Sequence, residues 1–538
     1  MTLSPSAHLD TFCRDNLPPE HLWPTLEFTL PELQYPERLN CASALLDEVA
    51  ARGPDRPCLL SPTEQLNYGE LLRRANQVAQ VLTEDYHLVP GQRVLLRGPN
   101  NPWLVACWFG VIKAGGVVVT TMPLLRSPEL AKLIDLTRST LALCDHRFAE
   151  ELAGVDQAPT TVLFGGDGAD DLQARCAAKS GEFTNVDTAA DDVVMLAPTS
   201  GTTGVPKATM HFHRDVLAVA DTFAEYVLRP TAEDVFTGTP PLAFTFGLGG
   251  LVIFPLWIGA STLLLEKASP SELADAVATH GVTVMFTAPT AYRAMLRAGK
   301  AAQLRGLRRC VSAGEHLPAA VSDEFRTETG VRIIDGIGAT EMLHVFISAA
   351  DDDIRPGATG QAVPGYRAAI LDFGGNPVPD GTPGFLAVVG PTGCRYLADD
   401  RQQMYVQHGW NITGDTYTRD ADGYFWYQCR SDDMIISSGY NIAGPEVEEV
   451  LGAHPDVAEC AVVGRPDADR GMIVHAAVVL APGVDGDAAK ARELQDFVKQ
   501  TAAPYKYPRS IEFLDALPRT ESGKLQRYRL REPTPAHR

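Results

Sequence analysis

Residues 197–210 read APTSGTTGVPKATM, from Ala197 through Thr199, Ser200, Gly201, Thr202, Thr203 and Gly204 to Pro206, Lys207 and Met210. Hydroxyls, glycines and one lysine stand between two apolar runs. Residues 193–196 (VVML) have the apolar, β-branched character of a buried strand, and 208–211 (ATMH) read as a second, with a helix expected from about Asp215 to Tyr226. Glycine lets backbone N–H groups turn toward an anion, hydroxyls add donors and lysine adds charge. Thr199, Ser200, Gly201, Thr202, Thr203 and Lys207 are therefore candidate phosphate ligands. The loop is not of the GxxxxGK[ST] type, which would need glycine at Pro206 and a hydroxyl at Ala208.

Outward from this loop, apolar β-rich runs alternate with helical patterns. Strands are expected at 93–96, 116–119, 262–265, 282–286 and 310–312, with helices at 103–114 and 271–280. Such alternation predicts an α/β fold of layered, mostly parallel sheets with helices. After Trp426 the texture changes. Residues 428–433 are polar, and a helix (445–451), two strands (457–463, 473–480), a helix (488–501) and a strand (510–514) follow. This predicts a small α+β C-terminal domain of about a hundred residues. The expected division is a large N-terminal domain at 1–431 and a C-terminal domain at 432–538, with the boundary near Asp432.

The 538 residues carry a formal net charge of -21, which disfavours a nucleic-acid partner. The ten cysteines show no CxxC pair, and the start MTLSPSAHLDTFCRD lacks the form of a secretory signal, so a reducing cytoplasm is expected. Residues 235–265 carry no charge and are long enough to cross a bilayer. However, Pro240, Pro241 and Pro255, with Gly247, Gly249, Gly250 and Gly259, break this run into pieces suited to a buried strand, loop and helices.

Four further stretches define the site. They are GATE at 338–341, TGD at 413–415, RSDD at 430–433 with SGY at 438–440, and PRTESGK at 518–524. In this order they resemble the adenylate-forming superfamily of acyl-CoA synthetases, peptide-synthetase adenylation domains and luciferases, over nearly the whole chain. The resemblance implies ATP, Mg²⁺ and coenzyme A. By its chemistry Glu341 is a hard oxygen ligand suited to Mg²⁺, and Thr340 can hydrogen-bond an α-phosphate oxygen. Asp415 can accept from ribose hydroxyls and Arg430 can donate to the same sugar. The resemblance assigns both to ribose and places Ala313, Gly314 and Glu315, with Asp335, Gly336 and Ile337, around the adenine. Ile337 departs from the commoner pattern, which has an aromatic residue there. The resemblance also makes Lys524 the catalytic lysine bridging acyl carboxylate and α-phosphate, Asp432 the hinge, and Ser438, Gly439 and Tyr440 the lining of the pantetheine path.

The uncharged stretch PLAFTFGLG (241–249) offers no carboxylate to an α-ammonium group, which argues against a standard amino acid as substrate. With DGIGATEMLHVF (335–346) it resembles benzoate-CoA ligases and 2-aminobenzoate-CoA ligases. That resemblance implies a small aromatic carboxylic acid framed by Thr245, Phe246, Gly338, His344 and Val345. Two rivals share these motifs: an aryl-adenylating enzyme that loads a carrier protein, and a non-catalytic acyl-nucleotide sensor. A monomer or homodimer is expected.

Overall fold

The computed structural model describes residues 3–199, 206–431, 433–437, 440–467, 470–502, 504–519 and 525–531. Two compact units are formed, one from residues 1–368 with 388–411, the other from 369–387 with 412–538.

The first unit holds two large sheets. In one, the parallel strands Thr160–Phe164, Leu141–Asp145, Arg93–Arg97, Val117–Thr121 and Val193–Thr199 lie side by side in that order, and Lys207–Phe212 closes the edge antiparallel to Val193–Thr199. Arg93–Arg97, Val117–Thr121 and Leu141–Asp145 are buried at every position, as parallel strands covered on both faces must be. The other sheet has nine strands, and its parallel centre is Arg309–Ser312, Val284–Thr287, Val235–Gly238 and Ser261–Leu263. Ile333–Gly338 continues it parallel to Arg309–Ser312.

Local sequence sets the helices between them. Pro270–His280 starts on Ser269, whose hydroxyl accepts from Glu272 N while the Glu272 carboxylate accepts from Ser269 N, and it ends at Gly281 with φ +63°. Its apolar side, Leu273, Ala274 and Val277, packs with Met285, Tyr292 and Phe325 against the nine-stranded sheet.

The uncharged run 235–265 is broken as expected. It forms the strand Val235–Gly238, the short helical pieces Thr245–Leu248, Gly249–Ile253 and Phe254–Ile258, and the strand Ser261–Leu263. Among the described residues no helix is long and apolar enough to cross a membrane. The helix expected near Asp215 begins at His213 and widens to π geometry over Ala220–Leu228. All ten cysteines are free thiols.

In the second unit, Ile435–Ser437, Tyr440–Ile442, Val457–Asp467, Gly471–Leu480 and Ser510–Phe513 form one sheet, with Ser510–Phe513 parallel to Gly471–Leu480 and the other pairings antiparallel. The helices Gly444–Gly452 and Ala488–Thr501 contribute Val447, Leu451, Leu494 and Val498 to its core. The α+β character expected from the sequence is present.

One half-buried carboxyl makes stability depend on pH. Asp221, on the π-helical segment, accepts from Tyr35 Oη at 2.6 Å and from Trp257 Nε1 at 3.0 Å, tying the N-terminal segment to two helices. Burial pushes its carboxyl up to about 6, against the pull of those two donors. Between the unfolded value near 4 and that value, the folded chain holds a proton that the unfolded chain has lost. Stability therefore falls as pH rises through this window, by roughly 2–3 kcal/mol in total. Asp221→Asn should remove that decline, so thermal unfolding of variant and wild type should diverge between pH 4 and pH 7 in the variant's favour. Parallel pH profiles would refute the assignment.

Candidate active site

The site residues of the first unit gather at the carboxyl ends of its parallel strands, where the chain must leave the sheet and backbone donors are free. Thr199 ends Val193–Thr199, and Lys207 opens the returning strand opposite it. Ser200, Gly201, Thr202 and Thr203 lie outside the described residues, as do Asp432, Ser438, Gly439 and Lys524. Ala313, Gly314 and Glu315 follow the strand Arg309–Ser312, with Gly314 at φ +89°. Asp335, Gly336, Ile337 and Gly338 form the end of Ile333–Gly338, and Thr340 and Glu341 start the short 3₁₀ turn after it.

Strand alternation aims Lys207 and His211 of Lys207–Phe212 at this turn, because residues an even number apart share a face. Lys207 Nζ stands 3.1 Å from Glu341 Oε1. The Nε2 of His211 lies 2.9 Å from the Thr340 carbonyl. A carbonyl only accepts, so Nε2 carries the proton. Between them, Thr209 pairs with Tyr396 of a neighbouring extended segment. The Tyr396 hydroxyl donates to Glu341 Oε1 and accepts from Lys207 Nζ.

Behind His211 lies a fully buried ion pair. Arg395 donates to Asp215 Oδ2, both side chains are 0% exposed, and the guanidinium sits 4.0 Å from the Phe212 ring centroid. Burial drives the Asp215 carboxyl up, but Arg395, His211 and Arg214 outweigh it and hold it below the ordinary carboxylate value. The carboxylate also accepts from Phe212 N at 3.0 Å and so caps the helix His213–Val219.

The orphaned polar atoms test whether a nucleotide fits here. Thr199 Oγ1, Ser312 Oγ and Asp335 Oδ1 are buried with no hydrogen-bond partner. Buried polar groups left so are open to completion by water or a ligand. A hydroxyl at the end of the phosphate loop and an acceptor at the expected adenine position suit a purine nucleotide. The Glu341 carboxylate is a hard oxygen donor suited to Mg²⁺.

Next to this cluster is an aromatic enclosure. Leu343, at φ 69° and ψ -40°, is a costly conformation for a bulky residue, and it turns the chain between Met342 and His344. His344 is 3% exposed, with ring centroids of Phe254, Phe223 and Phe246 at 4.6, 5.3 and 5.8 Å. Burial pushes the imidazole pKa down to about 3, against the pull of a hydrogen bond with the Phe246 backbone, so the ring is neutral. The approach requires glycine at 249, where a Cβ would stand 2.3 Å from His344 Cδ2. Val345 is buried, and Gly338 passes so close that a Cβ there would meet the His344 carbonyl oxygen at 2.7 Å. Thr245 and Phe246 open the helical piece Thr245–Leu248 and are half-buried. Leu242, Ala243, Leu248 and Val252 of the same uncharged segment line a small apolar cleft with Leu104 and Trp108.

In the second unit, the antiparallel strands Trp410–Arg419 and Phe425–Arg430 place Asp415 directly opposite Arg430. Arg430 Nη1 donates to Asp415 Oδ1 at 3.0 Å and to the Thr413 carbonyl at 3.3 Å. Gly414, within the strand Trp410–Arg419, has φ +78°, a left-handed conformation that favours glycine. Tyr440 opens the strand Tyr440–Ile442.

Sequence reasoning missed Tyr396, His211, Asp215 and Arg395. His211 was within reach of the alternation that starts at Lys207. Tyr396 carries no such signal.

The sequence profile of the AMP-binding enzyme family matches residues 46–396, and that of the AMP-binding enzyme C-terminal domain matches residues 446–524. The chain is 36% identical over 516 residues to the benzoate-CoA ligase of Thauera aromatica, covering 94% of this chain and 98% of that one. Among solved structures, an anthranilate CoA ligase in complex with anthranoyl-AMP superposes with a TM-score of 0.88 at 33% identity, covering 93% of this chain and 98% of the other. A benzoate CoA ligase from Burkholderia xenovorans LB400 superposes with a TM-score of 0.85 at 30% identity, covering 92% of this chain and 100% of the other.

The buried pair behind His211 generates a stability prediction. Arg395→Met leaves the Asp215 carboxylate buried without its guanidinium and should cost about 3–5 kcal/mol. Asp215→Asn combined with Arg395→Met should recover much of that loss. Denaturant unfolding of the single and double variants decides it, and a double variant no more stable than the single one would show that the charge pair is not what holds this region.

Proposed function

The chain belongs to the AMP-binding enzyme family, and from that premise we propose that it is an aryl-CoA ligase. It joins a small aromatic carboxylic acid of benzoate or 2-aminobenzoate type to ATP, forming an aryl-adenylate and pyrophosphate, and then transfers the aryl group to coenzyme A, releasing AMP. The observation that carries the reading is the neutral, buried His344 within a wall of phenylalanine rings, two residues beyond the 3₁₀ turn of Thr340 and Glu341. A flat apolar ring with one hydrogen-bonding substituent suits that enclosure, whereas an α-ammonium group would find no carboxylate in it.

The remaining roles follow from chemistry and position. Thr199, Ser200, Gly201, Thr202, Thr203 and Lys207 hold the β and γ phosphates that leave as pyrophosphate. Thr340 donates to an α-phosphate oxygen. Ala313, Gly314 and Glu315, with Asp335, Gly336 and Ile337, enclose the adenine, and Asp415 and Arg430 hold the ribose. Glu341 holds Mg²⁺, which supplies positive charge against the polyphosphate. No base is needed, because a carboxylate is already ionised and nucleophilic at neutral pH. Lys524 supplies the cation that offsets repulsion between the carboxylate and the α-phosphate. For the second step, residues 432–538 turn about Asp432, and Ser438, Gly439 and Tyr440 admit the pantetheine arm. The enzyme is cytoplasmic and works as a monomer or homodimer. A carrier-protein thiol in place of coenzyme A is the rival acceptor.

Benzoate, 2-aminobenzoate, salicylate and cinnamate, assayed for pyrophosphate release and then for thioester with coenzyme A or a phosphopantetheinylated carrier, test this reading directly. One of the aryl acids should drive both steps with free coenzyme A, and no acid-dependent pyrophosphate release would end the proposal. Lys524→Ala should lose the first step and still convert supplied aryl-adenylate to thioester, while equal loss of both steps would count against its role. Gly249→Ala, which drives a methyl group into His344, should raise KM for the acid by about tenfold while leaving KM for ATP unchanged.

A further inference from the structure

Tyr396 lies in the segment that runs antiparallel to Lys207–Phe212. Leu397 N donates to the Ala208 carbonyl at 2.9 Å, and Met210 N donates to the Arg395 carbonyl at 2.7 Å. This register brings the Tyr396 ring to Lys207, whose Nζ lies 4.1 Å from the ring centroid. The segment is pinned from behind. Gln402 Oε1 accepts from Tyr396 N at 2.9 Å, its Nε2 donates to the Cys394 and Leu22 carbonyls, and Tyr405 packs edge-on at 5.8 Å. Tyr396 is 1% exposed, so its phenol has one position available.

That position is a junction between the two charged groups of the site. An ammonium has no acceptor, so the phenol's single proton goes to the Glu341 carboxylate and its lone pair takes a Lys207 proton. Lys207, Tyr396 and Glu341 thereby form a closed, charge-balanced cluster in a largely buried place, 17% and 10% of the two charged side chains being exposed. Removing Lys207 alone would leave a desolvated carboxylate, which is costly unless another donor stays with it.

We propose that Tyr396 is a positioning residue. It locks Lys207 and Glu341 together in the nucleotide-free site, and it keeps the Glu341 carboxylate oriented once Lys207 is drawn to a polyphosphate. This rests on the reading that assigns Lys207 to phosphate and Glu341 to the metal ion. On that reading Tyr396 touches neither substrate nor metal and acts only through the other two side chains.

Tyr396→Phe preserves the ring, its stacking on Tyr405 and the contact with the ammonium, and it removes only the hydroxyl. The magnesium concentration that gives half-maximal acid-dependent pyrophosphate release should rise by roughly tenfold or more, the loss expected for a hydrogen bond to a charged group. Thioester formation from supplied aryl-adenylate should be unchanged. In a Glu341→Gln background, the further effect of Tyr396→Phe should vanish. A second readout needs no turnover. In the nucleotide-free protein, acetic anhydride labelling of Lys207, followed by mass spectrometry, should speed up in Tyr396→Phe and in Glu341→Gln.

Unchanged magnesium dependence, full additivity with Glu341→Gln, or unchanged Lys207 labelling would each overturn the proposal. Absence of pyrophosphate release by the wild type would instead end the functional reading, and the labelling comparison would still judge the cluster. If Tyr396→Phe fails to fold, labelling of Lys207 in Glu341→Gln decides, since a lysine held through this junction must loosen when the carboxylate is lost.

Discussion

The strand Lys207–Phe212 is antiparallel at the edge of a sheet that is otherwise parallel, and everything around the candidate phosphate site depends on how that edge is closed. An open edge would leave a row of backbone donors and acceptors unpaired. Here the segment around Arg395 and Tyr396 pairs with it from the other side, and the fully buried Arg395–Asp215 ion pair clamps that segment to the helix that follows the strand. Two desolvated charges are tolerated because they are opposite and in contact, and Asp215 also caps the helix. The same closure brings His211 to the Thr340 carbonyl and the phenol to Glu341, so backbone pairing at an edge sets distances between charged side chains at the site.

The aromatic enclosure is built by a different physical means. His344 is held in place by shape, between the Phe223, Phe246 and Phe254 rings and a glycine that cannot be anything larger. The Phe246 backbone gives it one hydrogen bond, and burial still removes its charge. One face of the site is therefore electrostatic and the other apolar. That division matches a reaction in which charged phosphates must meet the polar head of a molecule whose body is hydrophobic.

Much of this was legible before any coordinates. Hydrophobic periodicity located the parallel strands and the α+β texture of the C-terminal region, because burial on two faces or one leaves a direct imprint on residue type. Prolines and glycines showed that the uncharged run 235–265 would be cut into pieces. Turn chemistry around Gly338–Glu341 marked where the chain leaves its strand, whereas Gly414, expected at a turn, lies within the strand Trp410–Arg419. Less legible were the π-helical widening at Ala220–Leu228 and the titrating carboxyl of Asp221, whose environment comes from Tyr35 and Trp257, far away in the chain.

The sequence by itself determined which elements form, where the candidate phosphate loop and the carboxylates lie along the chain, and that the segment 235–265 is uncharged. Those properties reside in runs of neighbouring residues, and local sterics and solvation act on such runs directly. Only the tertiary structure decided that Lys207 and Tyr396, 189 residues apart, share a proton, and that Tyr396 and Glu341, 55 apart, share another. Those contacts depend on the register of an edge pairing and on what is buried behind it. Register is a collective property of two distant segments, and no local pattern in either one encodes it.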